Sequence, residues 1–317
     1  MPWEAATMRK AALEMIETLA RRDPRVVFLG SDLGAGTLDG LRRDRPDRFF
    51  MEGINEANFI GMAAGLAMEG FIPYLNTIAP FFTRRALEQI AVDLCLHNLP
   101  VRLIASGGGV VYAPLGATHL AIEDLAVMRA LPNMTVVAVS DAAEMRRLMA
   151  ESLDWPGPLY IRLAKGGDKE VSDAARGFAI GKAIPVRPPA AVQMITTGVM
   201  LAQALEAADL LAAQGVACGI LHAHTVKPLD EAMVRAAAAP ARLVVTLEEH
   251  LLNGGLGSAV LECLADDPTR PIPPLLRLGL PDAFPKEYGS QDSMFQTFGL
   301  KAAQIAERVR ATLPGLP

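Results

Sequence analysis

Aromatic residues are scarce in this chain of 317 residues: Phe, Trp and Tyr together make up 5%. Its apolar mass is instead Ala, Val, Leu, Ile and Met, the usual filling of helices packed on sheets. Cysteine is scarcer still. Cys95, Cys218 and Cys263 lie far apart in apolar, periodic segments. An odd number without CxxC spacing reads as buried free thiols in a reducing compartment, not as a disulfide framework or a metal site. Charge of one sign is also missing: 30 Lys and Arg face 35 Asp and Glu, for a net charge of −5. That removes the electrostatic case for nucleic acid and for acidic membranes as partners. Apolar runs are broken by charge or proline well short of the roughly 20 residues a membrane span needs. The start, Met1-Pro2-Trp3-Glu4, lacks the basic head and apolar block of a secretory signal, so a cytoplasmic protein is expected.

What is present suffices for a large core. The chain is 51% hydrophobic and 21% charged, with mean hydropathy +0.26. Its length suggests two domains at roughly 100–200 residues each. Short apolar runs at 26–29, 101–105, 135–139 and 159–163 alternate with helical spacing over 56–68, 84–96, 121–130 and 141–152. Buried strands between amphipathic helices predict a parallel sheet covered on both faces. Asp141 with Glu144 reads as a helix cap followed by a carboxylate in the first turn. Residues 165–189 change character, with Gly166-Gly167, scattered charges and three prolines, and form the best linker. The alternation then restarts: strands at 192–196, 217–221, 243–246 and 275–278, helices at 201–213, 257–264 and 302–313. The expected fold class is α/β: two three-layer α/β/α domains with mostly parallel sheets, over 1–186 and 187–317.

In open α/β sheets the chemistry sits in loops at the carboxyl ends of strands. Three such loops are unusual: 31–40, rich in glycine; 51–56, which opens a helix; and 106–109, Ser-Gly-Gly-Gly, which leads on to Pro114-Leu115-Gly116-Ala117-Thr118-His119. Several phosphate, metal and nucleophile signatures are missing. There is no GxxxxGK[ST], HExxH or GxSxG, and Gly34-Ala-Gly36 alone is more often a turn than a phosphate cradle. His222-Ala-His224 is a weak metal pair. Taken singly, Glu56 is a solvated carboxylate at a helix start and His119 a structural histidine.

Their order and company say more. GINEAN at 53–58 with AAGLA at 63–67, PYLNTIAPFFTRRALEQI at 73–90, GATHLAIED at 116–124, LPNMTV at 131–136, HTVKPLD at 224–230 and EEHLLNGGLG at 248–257 follow one another along the chain. Taken together they resemble the C-terminal part of the transketolase family, as found in bacterial transketolases split into two subunits. The resemblance runs from about residue 8 to 313. It implies a thiamine-diphosphate pyrimidine-binding domain followed by a transketolase C-terminal domain. It implies that Glu56 bonds N1′ of the cofactor's aminopyrimidine, where a carboxyl group is needed to favour the imino tautomer that accepts the thiazolium C2 proton. Phe81 falls at the ring-stacking position, with Ile78 and Arg84 at neighbouring cofactor-binding positions. His119 matches a histidine at the reacting carbonyl. Arg9 and Arg162 fall where family arginines hold a substrate phosphate, which suits a bidentate guanidinium.

The departures from the family are equally specific. Gly107 stands where sugar-phosphate enzymes carry a histidine, Leu115 where they carry an aspartate on a sugar hydroxyl, Gly36 for a serine near the phosphate, and Ile78 for a phenylalanine. The less polar Tyr112-Ala113-Pro114-Leu115 channel points to a modified sugar or a non-sugar acceptor. No G-D-G run with a later Asn is present to hold Mg²⁺ and the diphosphate, and no metal ligand is expected on this chain. The resemblance therefore implies a partner, an N-terminal transketolase-like subunit that carries that motif, in an α2β2 assembly with a β–β contact. The expected activity is transfer of a two-carbon ketol unit from a ketose or ketose phosphate to an aldehyde. The alternatives are the β subunit of a thiamine-dependent 2-oxo acid dehydrogenase and a non-catalytic regulatory or structural partner.

Overall fold

A computed structural model describes residues 7–31, 35–164 and 168–313. The short apolar runs form strands because they are buried on both faces. Val26–Gly30 (β1), Arg102–Ser106 (β4), Thr135–Ala138 (β5) and Leu159–Leu163 (β6) are buried throughout. With Phe49–Met51 (β2) and Ile72–Ile78 (β3) they make one parallel sheet. The second half forms Ile184–Arg187 (β7), Val192–Thr196 (β8), Cys218–His222 (β9), Thr225–Lys227 (β10), Leu243–Leu251 (β11) and Leu275–Leu280 (β12). Five of these build a second sheet in the order β12-β11-β8-β9-β7, parallel except for the edge strand β7.

Each sheet is covered on both sides, as the α/β pattern predicts. One face of the first sheet packs on the helix Glu56–Met68 and the segment after β3, through Phe59, Ala63, Phe82 and Ile90. The other packs on Met8–Arg22 and Ala142–Ser152, through Ile16, Phe28, Tyr74 and Met145. In the second sheet, Met200–Ala212 and Ala302–Thr312 cover one face, and Glu231–Ala238 and Leu256–Ala265 the other. Cys95, Cys218 and Cys263 are free and buried, and burial pushes the thiols of Cys95 and Cys218 up to about 11. No helix among the described residues is long and apolar enough to cross a membrane.

Four features differ from the sequence reading. The helix expected over 84–96 is broken into wide π turns, Phe81–Arg85 and Ile90–Cys95, around a short α turn, Leu87–Gln89. Insertion of Phe82 edge-on to Phe59, with ring centroids 6.3 Å apart, accompanies this wider winding. The helix expected from 121 starts at Asp124, because Ala121 exchanges backbone hydrogen bonds with Gly109. The proposed linker contains β7, so a division at 186/187 falls inside a strand of the second sheet. Pro185 is tolerated there because β7 is an edge strand and Pro185 is exposed. Gly34 and residues 165–167 lie outside the described residues. Finally, β10 comes from the second half of the chain yet pairs antiparallel with β5, completing the first sheet in the order β10-β5-β6-β4-β3-β1-β2.

Candidate active site

The site is built at the carboxyl edge of the first sheet. Gly53 takes φ +67°, a turn that favours glycine, before the chain enters the helix Glu56–Met68. Glu56 is the first helical residue and is buried, an unusual place for a carboxylate without a cation. On β3, Leu75 and Thr77 point to the face that receives this helix. Thr77 Oγ1 accordingly donates to Glu56 Oε1 at 3.2 Å, and Ser31 Oγ, just beyond β1, bonds Thr77 Oγ1 at 3.2 Å. The cation is Arg85, whose NH1 donates to Glu56 Oε2 at 3.2 Å. Sequence reasoning missed it. Adjacent helical residues point in different directions, and which of Arg84 and Arg85 faces Glu56 depends on how this segment docks.

Phe81 is half-buried beside this carboxylate. Its ring meets that of His119 edge-on, with centroids 5.4 Å apart, and carries the Arg85 guanidinium 3.7 Å from its centroid. His119 Nδ1 is within 2.8 Å of Thr118 Oγ1. The structure thus brings together Glu56, Phe81 and His119, which lie far apart in sequence. A planar nitrogen heterocycle fits such a slot: a carboxylate for a ring nitrogen and an aromatic face to stack on. Ile78 is half-buried at the end of β3.

Arg84 turns elsewhere. Its Nε and NH2 donate to Glu123 at 2.5 and 2.9 Å, its NH1 to the carbonyl of Ala117 at 3.2 Å and its NH2 to that of Leu120 at 2.9 Å. It also lies 5.6 Å from the Phe284 ring centroid. Its donors hold the His119 loop in place, which makes it a positioning residue and not a wall of the slot.

The two arginines expected at a substrate anion part company as well. Arg9 is half-buried at the start of the helix Met8–Arg22, beside the phenol of Tyr112; burial raises the pKa of that phenol and Arg9 pulls it back. Arg162 is buried. Its Nε donates to Asp124 Oδ2 at 2.9 Å and its NH2 to the carbonyls of Ala121 and Glu249, at 3.1 and 2.7 Å. Tyr160 Oη also donates to that Asp124 oxygen, at 2.8 Å. Arg162 thereby joins the two domains, and this geometry does not support contact with a substrate anion.

The three glycines after β4 have a common explanation. A Cβ at Gly107 would stand 2.0 Å from the Tyr112 ring, one at Gly108 2.5 Å from Arg162, and one at Gly109 2.2 Å from Glu249. The run therefore makes room for three side chains from other segments, and Tyr112 fills the space a residue-107 side chain would take. Glu249 Oε1 accepts from Val110 N and from Gln291 Nε2, each at 2.9 Å, and burial pushes Glu249 up to about 7 against the pull of Arg162. Leu115 is exposed at the rim. The next residue, Gly116, lies under Tyr288 of the second domain: a Cβ there would stand 2.7 Å from that ring. His222 and His224 belong to the domain interface. His222 pairs with Glu144 at 3.0 Å, and His224 stacks on Phe178 at 4.2 Å. No group of three metal-ligating side chains occurs among the described residues.

A seven-stranded domain with this slot, docked on a five-stranded α/β domain, is a two-domain subunit of the kind the sequence motifs imply. Residues 4–167 match the transketolase pyrimidine-binding domain and residues 181–305 the transketolase C-terminal domain. The chain belongs to the transketolase family. It is 37% identical, over 94% of its own length and 92% of the relative's, to the 6-deoxy-6-sulfo-D-fructose transketolase subunit SqwH of Clostridium sp. (strain MSTE9). It is 38% identical to a 1-deoxy-D-xylulose-5-phosphate synthase of Synechococcus sp. (strain JA-2-3B'a(2-13)), of which it spans 45%. Among solved structures, a split-gene transketolase described as an inactive β4 tetramer superposes with TM-score 0.88 at 36% identity, over 97% of this chain and 98% of that one.

Proposed function

We propose that this chain is the subunit of a split, thiamine-diphosphate-dependent transketolase that supplies the pyrimidine half of each active site and transfers a two-carbon ketol unit from a ketose to an aldehyde. The observation that carries this reading is the buried Glu56 carboxylate linked through one arginine, Arg85, to the Phe81 ring, which in turn meets His119, at the carboxyl edge of the sheet. Thiamine diphosphate, when bound, supplies the nucleophilic carbon that takes up the two-carbon unit. Glu56 bonds the pyrimidine N1′ and holds or releases the proton there, while Phe81 stacks on the ring with Ile78 beside it. His119, its Nδ1 held by Thr118, offers its other ring nitrogen for proton exchange with the substrate oxygen. Arg9 with Tyr112 takes an anionic substrate terminus, and Leu115 lines the rim.

The Tyr112 ring in place of a polar grip, and the likeness to a subunit named for a sulfonated ketose, favour a modified sugar as substrate. Mg²⁺ and the diphosphate are assigned to an N-terminal partner subunit, in an α2β2 complex with a β–β contact; the β4 form of the solved relative supports that contact. The three unpaired thiols favour the cytoplasm. The test is reconstitution of the chain with that partner, thiamine diphosphate and Mg²⁺. Products from ketose phosphates, sulfonated ketoses, free ketoses and 2-oxo acids are then read by mass spectrometry. Two-carbon transfer that needs both subunits is expected. Turnover by this chain alone, or oxidation of 2-oxo acids only, refutes the reading.

A further inference from the structure

The slot between Glu56 and Phe81 has an occupant of its own. Arg85 reaches Glu56 Oε2 through NH1 at 3.2 Å and covers the Phe81 ring at 3.7 Å. A guanidinium is planar and rich in nitrogen, with N–H groups along its edge and a face that stacks on aromatic rings. A protonated aminopyrimidine has the same features. We infer that Arg85 is a placeholder for the cofactor's aminopyrimidine, filling the carboxylate and the aromatic face until the cofactor displaces it. This rests on the reading of Glu56 and Phe81 as the walls of the pyrimidine slot.

The asymmetry of the pair supports exchange. The Glu56 side chain is 2% exposed and fixed on a helix, whereas that of Arg85 is 46% exposed and leaves through its flexible stem. A buried carboxylate without a partner is strongly disfavoured. Arg85 supplies that partner in the free chain, and the ring nitrogen of the cofactor supplies it in the loaded one. Since the cofactor must displace Arg85, removing the guanidinium should tighten binding and leave the empty slot less stable.

The test uses the chain assembled with its diphosphate-binding partner and Mg²⁺. Arg85→Met keeps the stem and removes the cation; Arg85→Lys keeps the charge and loses the planar face. Calorimetric titration with thiamine diphosphate is expected to give a Kd about three- to thirtyfold lower for Arg85→Met. That is the combined span of the ion pair and the cation–π interaction that the cofactor must break in the unaltered protein. Arg85→Lys is expected in between. The rise in melting temperature on saturation with the cofactor should be larger for Arg85→Met than for the unaltered protein. An unchanged or higher Kd with normal binding by the unaltered complex overturns the placeholder and leaves the cofactor assignment standing. Failure of both complexes to bind the cofactor overturns both.

Discussion

Glu56 is where one residue carries the most consequence. Glu56→Gln keeps the shape, and its single amide oxygen can accept from Arg85 while its NH2 turns to donate to Thr77 Oγ1, but it removes the charge. In the assembled complex, exchange of the cofactor's C2 proton is expected to slow by about 10²–10⁴-fold, the scale of acid–base catalysis, with folding and assembly retained. A carboxylate that only favours a helix start predicts instead a stability loss of about 0.3–1 kcal/mol and exchange within a few-fold of normal. Hydrogen–deuterium exchange read by NMR separates the two. The arginines make a second contrast. Arg9→Ala should raise KM for an anionic substrate by the equivalent of about 1–3 kcal/mol, with little change in the urea midpoint. Arg162→Ala leaves the buried Asp124 without its cation and should destabilise the fold by about 3–5 kcal/mol. Steady-state kinetics beside urea melts decide this; equal KM effects and equal stabilities would place both arginines at the substrate.

At the scale of elements, the segment after β3 and the loop 116–121 act as one unit. In the π turn Phe81–Arg85, Arg85 points at Glu56 and Arg84 at the carbonyls on either side of His119. Arg84 and Glu123 are both partly exposed, so their ion pair adds little to global stability. Its effect is local. Arg84→Ala should leave the melting temperature within a few degrees while hydrogen exchange at the amides of His119 and Ala121 quickens about tenfold or more. Those amides donate to Gly116 and Gly109. Unchanged protection would mean that the loop stands without Arg84. The Gly107-Gly108-Gly109 run belongs to this scale too, since Tyr112, Arg162 and Glu249 need its missing Cβ atoms.

For the whole molecule, the domain interface contributes two opposed terms to the dependence on pH. His224 is buried against Phe178, near Glu144, His222 and Arg147; burial is the chief cause that brings it down to about 4. The unfolded chain takes up this proton from about pH 6.5 downward and the folded one does not. This contribution to stability is therefore present above pH 6.5 and lost as pH falls towards 4, by about 2–3 kcal/mol. Glu249 has the opposite sign. Raised to about 7, it contributes stability below its ordinary range that is lost as pH rises through 7. His224→Gln should therefore gain on the unaltered protein as pH falls from 6.5 to 4, and Glu249→Gln should gain as pH rises from 4.5 to 7. Urea unfolding at a series of pH values checks both signs.

The sequence by itself determined what depends on near neighbours. Alternating short apolar runs and amphipathic helices specify two covered sheets, since burial pattern follows local periodicity. The helix starting at Glu56, the strand at 159–163 and the cap at Asp141, whose side chain accepts from Glu144 N, were legible for that reason. Motifs singled out Glu56, Phe81 and His119, and the structure brings the three together. Tertiary structure alone decided what depends on distant residues. Arg162 meets a carbonyl 87 positions away and Glu144 a histidine 78 positions away. β10 crosses to the other domain's sheet, and Tyr112 fills the space at Gly107. Arg84 and Arg85 are chemically identical neighbours, and only the docking of their segment decides that one faces the loop and the other Glu56. Local patterns fix which side of an element is buried; what a polar side chain finds there depends on how the elements dock.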